Sequence, residues 1–215
     1  LVVGRYTRID GFTWQWVDGV PADGEVTANP TGPRGGTVES GPDVGRYTAM
    51  AHAGAGVLHI AYYDVDNGAL KYALGSPTEA GHTWTIMTLD SEGDAGRWAS
   101  ISLDDEGRPG IAYRVGSVEG SSQVRYIQAR GAQPETSDAW GEPLTLQQRA
   151  LEDPDPNTGT YPEGTGLFTS QARDPDGSAV VAWYDRSEGA LWWSRMTGPG
   201  FSEPEMLAGW GHPDP

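Results

Sequence analysis

Apolar residues in this chain come in short runs closed off by Gly, Asp, Asn and Ser. Val57, Leu58, Ile60, Ala61 and Tyr62 lead to Asp64, and Val180, Val181, Ala182 and Trp183 lead to Asp185. Runs of this length, rich in β-branched and aromatic residues, predict strands, and no long segment spaces its apolar residues as a helix does. In the clearest stretch four strands follow one another: a over Tyr47 to His52, b over Val57 to Asp64, c over Ala69 to Leu74 and d over Trp84 to Leu89. Strand b is apolar at nearly every position, which predicts burial on both of its faces.

The pattern then recurs. Gly45-Arg46-Tyr47-Thr48, Ile60-Ala61-Tyr62-Tyr63-Asp64 and Gly68-Ala69-Leu70-Lys71-Tyr72 return as Gly96-Arg97-Trp98-Ala99, Ile111-Ala112-Tyr113-Arg114 and Val124-Arg125-Tyr126. They return again as Gly166-Leu167-Phe168-Thr169, Val181-Ala182-Trp183-Tyr184-Asp185 and Gly189-Ala190-Leu191-Trp192-Trp193. From the opening Gly to the central Ala the distance is 16 residues each time: 45 to 61, 96 to 112 and 166 to 182. The first hairpin of the unit is therefore rigid in length, while the connections after it vary. Four antiparallel strands in repeated units, with inner strands buried on both faces, predict an all-β fold, a β-propeller of four-stranded blades. A β-sandwich also has short strands and frequent turns, but it does not call for repeats.

Phase matters as well. Leu1-Val2-Val3-Gly4-Arg5 followed by Phe12-Thr13-Trp14 resembles Leu191-Trp192-Trp193-Ser194-Arg195 followed by Phe201, so the first residues match strand c. Residues 1–215 then read as a single array: strands c and d of a partial blade over 1–19, and blades over 44–94, 95–160 and 161–215, about three and a half blades in all. A half-blade leaves a strand edge open, and closed propellers hold roughly four to eight blades. The expectation is a larger closed propeller, completed by the remainder of the same propeller or by another chain.

Insertions predict where recognition takes place. The connections from about Val20 to Asp43 and from about Leu146 to Gly164, together with the b to c loop Val115 to Gln123, fall on one rim of such a propeller, and unit-specific loops often build the binding face. Arg46 and Arg97 begin strand a on that rim, Asp64 and Asp185 end strand b beside them, and Arg114 stands where the first unit has Tyr63. Hairpin symmetry brings Arg46 near Tyr63 and Asp64 as a cross-strand ion pair. It also brings Arg97 near Arg114, either as a guanidinium pair for a carboxylate or another anion or as a pair neutralised by Asp94 or Asp104. Asp153, Asp155 and Asn157 alternate as at the start of a calcium loop, although Gly159 falls seventh where such loops place Gly sixth, and no Glu stands twelfth. The alternative there is a solvated acidic loop. Apart from calcium no cofactor is expected.

Composition narrows the partners. The chain has 30 acidic and 14 basic residues and a net charge of −16, which speaks against nucleic acid as a partner, because phosphate binding needs a basic surface. Its 215 residues contain no cysteine, hence no disulfide and no thiolate metal site. No run of 18 or more apolar residues is present to span a membrane. The four histidines are scattered (His52, His59, His82, His212), and neither a metal pair nor a catalytic triad can be assigned among them.

Tyr62-Tyr63-Asp64 and Leu70-Lys71-Tyr72 resemble the repeats of bacterial extracellular β-propellers over about 170 residues of the chain. Ser102-Leu103-Asp104-Asp105-Glu106-Gly107 is similar to the Asp-box turn of sialidase-like propellers, with its Gly one position late and no closing aromatic. Tyr62, Tyr63 and Trp84 are similar to residues of fucose-binding lectin propellers, with His59 near the place of the lectin arginine. These resemblances imply an extracellular or cell-surface propeller. The function expected is a non-catalytic one, a protein-interaction or structural module acting through the loop rim. The alternative is a glycan-binding, lectin-like propeller, and a glycoside hydrolase fragment comes third.

Overall fold

A computed structural model describes residues 1–9, 11–20, 41–152 and 162–209. The strands run in four antiparallel sheets, each joined in sequence order by hairpins. β1 (Val2–Thr7) and β2 (Gly11–Trp16) form a two-stranded ribbon. β3 (Val44–His52), β4 (Leu58–Asp64), β5 (Ala69–Thr78) and β6 (Gly81–Asp90) form the first four-stranded sheet. β7 (Ala95–Leu103), β8 (Pro109–Val118), β9 (Ser121–Gln128) and β10 (Leu144–Ala150) form the second. β11 (Leu167–Arg173), β12 (Ala179–Asp185) and β13 (Ala190–Thr197) lead into a split last strand, β14 (Gly200–Phe201) and β15 (Glu205–Ala208), both of which pair with β13. The described residues are all-β, as the short apolar runs and turn residues implied. Among the described residues no sheet closes on itself. Strands c and d of the first unit run longer than expected, to Thr78 and from Gly81, because their hairpin pairs all the way out to Thr78 and Gly81.

Turn chemistry fixes the hairpins. The Asp64 carboxylate accepts the N–H and the side-chain amide of Asn67, and Gly68 takes φ +59°, closing the β4–β5 turn. Asp104 accepts the N–H groups of Glu106 and Arg108 in the β7–β8 turn, so the Asp-box-like segment works as an ordinary side-chain-capped turn.

The core lies between the sheets, in three layers. Ile60, Tyr62 and Ala73 pack against Val17, Leu1 and Val3 of the ribbon and its continuation. Ala61, Leu70, Tyr72 and Leu74, on the opposite face of the same sheet, meet Ile111, Tyr113, Ile127 and Trp140. Ala112, Val124 and Tyr126 then meet Val181 and Trp183. Each fully buried side chain of this size contributes about 1.5–3 kcal/mol. β4 and β8 are buried on both faces, as their unbroken apolar pattern predicts, with Ile60 to Tyr63 and Ile111 to Val115 all between 0 and 3 % exposed. β12 departs from that expectation. Val181, Trp183 and Asp185 are buried, but Val180, Ala182 and Tyr184 are only partly so, because no further sheet covers that face among the described residues.

Candidate functional site

The first strands of the three larger sheets, β3, β7 and β11, lie side by side and open in the same way. Gly45, Gly96 and Gly166 take φ of +101°, +107° and +89°, and a Cβ on Gly96 would stand 2.7 Å from the Leu70 Cα. Two residues on, Tyr47, Trp98 and Phe168 take φ of 51°, 48° and 55°. A bulky L-residue rarely adopts this conformation. At the same place each strand slips register against its neighbour, between Arg46 and Ala49, Arg97 and Ser100, and Leu167 and Ser170. Such bulges turn a side chain out of the pleat and re-aim it.

Here they bring the aromatics into a row. The Tyr47 and Trp98 ring centroids are 4.8 Å apart, those of Trp98 and Phe168 are 5.7 Å apart edge to face, and Tyr63 lies 5.9 Å from Tyr47. Tyr47 is 37 % and Phe168 49 % exposed, so the row presents apolar ring surface on the rim where strand a begins and strand b ends.

Arginines flank it. Arg46 is exposed and pairs with Asp43 at 2.8 Å. Arg97 pairs with Asp94 at 2.9 Å and lies 5.3 Å over the Tyr63 ring. Burial works against the Arg97 charge, but Asp94 and the Tyr63 hydroxyl outweigh it and hold the guanidinium above its ordinary value. Tyr63 bonds through its hydroxyl to Asp94, and burial reinforced by that carboxylate pushes it up to about 12.

Arg114 faces Arg97 across the β7–β8 pair and is 1 % exposed. Its guanidinium donates to the carbonyls of Thr165 (2.9 Å) and Glu163 (2.7 Å) and lies 5.7 Å from the Trp98 centroid. Burial, and then the neighbouring Arg97 charge, lower it to about 10. Of the two carboxylates expected to neutralise this pair, Asp94 serves Arg97, whereas Asp104 is held by Arg108 at 2.7 Å. Arg114 thus ties the segment ahead of β11 to the second sheet.

Of the rim residues singled out in the sequence, Arg46, Arg97 and Arg114 therefore gather round the aromatic row. Asp64 and Asp185 do not face it. Their side chains are 5 % and 0 % exposed, Asp64 caps its turn, and Asp185 accepts the Glu188 N–H at 3.2 Å and Arg149 at 2.8 Å. Asp153, Asp155 and Asn157 lie outside the described residues. Among the described residues, no group of three His, Asp or Glu side chains is close enough to hold a metal ion, and no helix is long and apolar enough to cross a membrane.

The row itself was missed in the sequence. Its signal was nevertheless present: an aromatic stands two places after the opening Gly in all three units. A cleft of about 870 Å³ lies on the opposite rim between the ribbon and the first four-stranded sheet, with Arg5, Trp14, Gln15, His52, Glu79 and His82 in its walls. Gln15 and His82 close one side of it, the His82 N–H donating to the Gln15 amide oxygen at 3.0 Å.

Fold and rim together define an all-β protein of repeated antiparallel sheets with an aromatic and arginine-lined edge. No protein-family model matches the chain, and no curated protein matches it. Among solved structures it is similar to a fucose lectin from Kordia zhangzhouensis in complex with methyl-fucoside, at 16 % identity and a TM-score of 0.41, over 72 % of this chain and 95 % of that one.

Proposed function

We propose that this chain is a non-catalytic β-propeller sector, secreted or on the cell surface, that engages a protein partner through the rim carrying Tyr47, Trp98 and Phe168. The observation that carries the reading is the row itself: three large aromatics at one repeated position, each held in a strained conformation and left partly open to solvent. Strain of this kind persists where the surroundings enforce it and gathers at ligand-contacting sites. Exposed aromatics beside arginine are also the composition of interface hot spots. A hydrolytic role has less support, since the carboxylates at this rim serve turns and ion pairs: Asp43 with Arg46, Asp94 with Arg97, Asp64 and Asp185 in their turns.

A glycan reading draws on a different observation. Phe12 and Trp14 on the ribbon are stacked, with centroids 5.7 Å apart and planes 15° apart, and both are exposed, a flat surface of the sort on which a sugar ring stacks.

The two readings part in one experiment. A protein partner retained from the secreted fraction of the source cells by the immobilised chain is expected to bind at least about thirty-fold more weakly to Tyr47→Ala and Trp98→Ala. Trp14→Ala is expected to bind it as the parent chain does. Saturable glycan-array binding that Trp14→Ala abolishes, with Tyr47→Ala and Trp98→Ala neutral in both assays, would overturn the protein-partner reading in favour of the lectin.

A further inference from the structure

Asn67 and Gly68 stand together in the turn that joins β4 to β5. An asparagine sheds its side-chain amide when the backbone nitrogen of the following residue attacks its Cγ, so that residue must carry an N–H and leave room around it. Of the three asparagines in the sequence, Asn29 precedes Pro30, which has no N–H, and Asn157 precedes Thr158, whose branched side chain crowds the nitrogen. Gly68 has the N–H and no side chain. Asn67 is exposed, and Gly68 takes φ +59°. Among the described residues the Gly68 N–H donates to no acceptor, whereas Gly107 and Gly177 in the β7–β8 and β11–β12 turns donate theirs to the Asp104 and Asp174 carbonyls at 2.9 and 2.8 Å. The attacking nitrogen is therefore unengaged.

The third unit shows how the same turn carries a carboxylate. Glu188 holds the place of Asn67, followed by Gly189 at φ +61°, and its N–H donates to Asp185 at 3.2 Å as the Asn67 N–H donates to Asp64 at 3.1 Å. Arg149 pairs with Glu188 at 2.8 Å and offsets its charge. Beside the first turn Lys71 lies 4.0 Å from Asp64 and is paired with Asp18. The Asn67 amide is held by its nitrogen, which donates to Asp64 at 2.9 Å. The turn also leans on the second sheet: the Gly68 carbonyl accepts the Ala95 N–H at 2.9 Å, next to Asp94, which holds Arg97 and the Tyr63 hydroxyl.

We propose that Asn67 is a site of spontaneous deamidation, a covalent modification that turns this rim position into aspartate or isoaspartate. The Gly68 nitrogen gives up its proton to water and bonds to the Asn67 Cγ; the bond from Cγ to Nδ2 breaks, and Nδ2 leaves as ammonia, taking a proton back from water. Water then opens the cyclic imide. Attack at the side-chain carbonyl leaves aspartate in an unchanged backbone, and attack at the main-chain carbonyl leaves isoaspartate, whose backbone runs through the side chain and is one methylene longer. Nothing is oxidised or reduced, and the only co-reactant is water. The aspartate product keeps the turn, as Glu188 does in the third unit, with a new charge beside Asp64. The isoaspartate product lengthens the turn and draws the Gly68 carbonyl away from Ala95. The proposal does not rest on the partner-binding reading of the aromatic row.

Peptide mapping by mass spectrometry tests it, on the full folded chain held for weeks in mildly alkaline buffer at body temperature. The peptide carrying Asn67 is expected to gain one mass unit and to separate into two products, one cut ahead of residue 67 by a protease specific for aspartate and one resistant to it. Asn67→Asp supplies the authentic aspartate product and should elute with the first of them. Asn67→Gln should hold its mass over the same period, with the circular dichroism of the parent. Hydrogen exchange should find the Ala95 amide less protected in the isoaspartate fraction than in the aspartate fraction, because its acceptor has moved. An Asn67 peptide that keeps its mass, a product that is all aspartate with no isoaspartate, or faster change at Asn157 than at Asn67 would each overturn the proposal.

Discussion

Tyr47, Trp98 and Phe168 sit at positive φ, where a bulky side chain costs about 1–3 kcal/mol per residue, and Tyr47 and Phe168 remain exposed while Trp98 is partly buried. Tyr47→Gly removes that strain but also the ring contacts to Tyr63 and Trp98, each worth about 0.5–1.5 kcal/mol. Urea denaturation should therefore find its stability within about 1 kcal/mol of the parent, while Tyr62→Ala, at a residue 0 % exposed, should cost about 3–5 kcal/mol. His59 makes a second residue-scale prediction. It is 0 % exposed, its Nδ1 lies 2.6 Å from the Tyr72 hydroxyl, and burial lowers it to about 4, so the folded chain holds the neutral ring. Between pH 6.5 and about 4 the unfolded chain takes up the proton and the folded chain does not. The His59 contribution to stability is accordingly complete above pH 6.5 and falls by about 3 kcal/mol as the pH drops to about 4. Denaturation midpoints measured across that window should show the fall, and His59→Gln should flatten it. The positions of these residues were legible in the sequence. Their conformations were not, because a bulge is a disagreement between two strands and only the paired strands reveal it.

Between elements, each junction is pinned by one polar residue on or just past strand d that reaches the next sheet. Asp18 accepts the Tyr62 hydroxyl at 2.6 Å and pairs with Lys71, and Asp90 accepts the Tyr113 hydroxyl at 2.7 Å and pairs with Arg125 at 2.9 Å. In the third junction Gln147 accepts the Trp183 Nε1–H at 2.7 Å, and the place of Lys71 and Arg125 on strand c is Trp192. Charge is matched at every junction, a carboxylate where strand c carries a cation and an amide where it carries none. Burial works against the Asp18 carboxylate, yet its bonds from Lys71, Tyr62 and the Gly19 N–H hold it below the ordinary value. Asp90 and Arg125 have side chains only 6 % and 9 % exposed, so Asp90→Ala leaves a buried guanidinium with Glu92 as its remaining ionic partner and should cost about 3–5 kcal/mol. A double-mutant cycle with Arg125→Ala should recover part of that loss as coupling. The hairpins that build each sheet were readable from 16-residue spacing and from turns such as Asp64 to Gly68. These junctions were not, since Asp90 stands 23 residues from Tyr113 and 35 from Arg125, with no local pattern linking them.

For the whole molecule, a net charge of −16 makes the compact chain repel itself. Screening shortens the reach of that repulsion to about 8 Å at physiological salt, so the urea midpoint should rise as sodium chloride goes from about 0.05 to 0.5 M. The sequence by itself determined the strands, their grouping in fours and the sheet-forming character of the whole, because short apolar runs and turn chemistry act over a few neighbouring residues. Tertiary structure alone decided that Tyr47, Trp98 and Phe168 meet on one rim, that Asp185 is held by Arg149, and that Trp14 and Leu191 are exposed. Exposure and partnership depend on which sheet lies alongside, and that neighbour is supplied by residues far away in the chain.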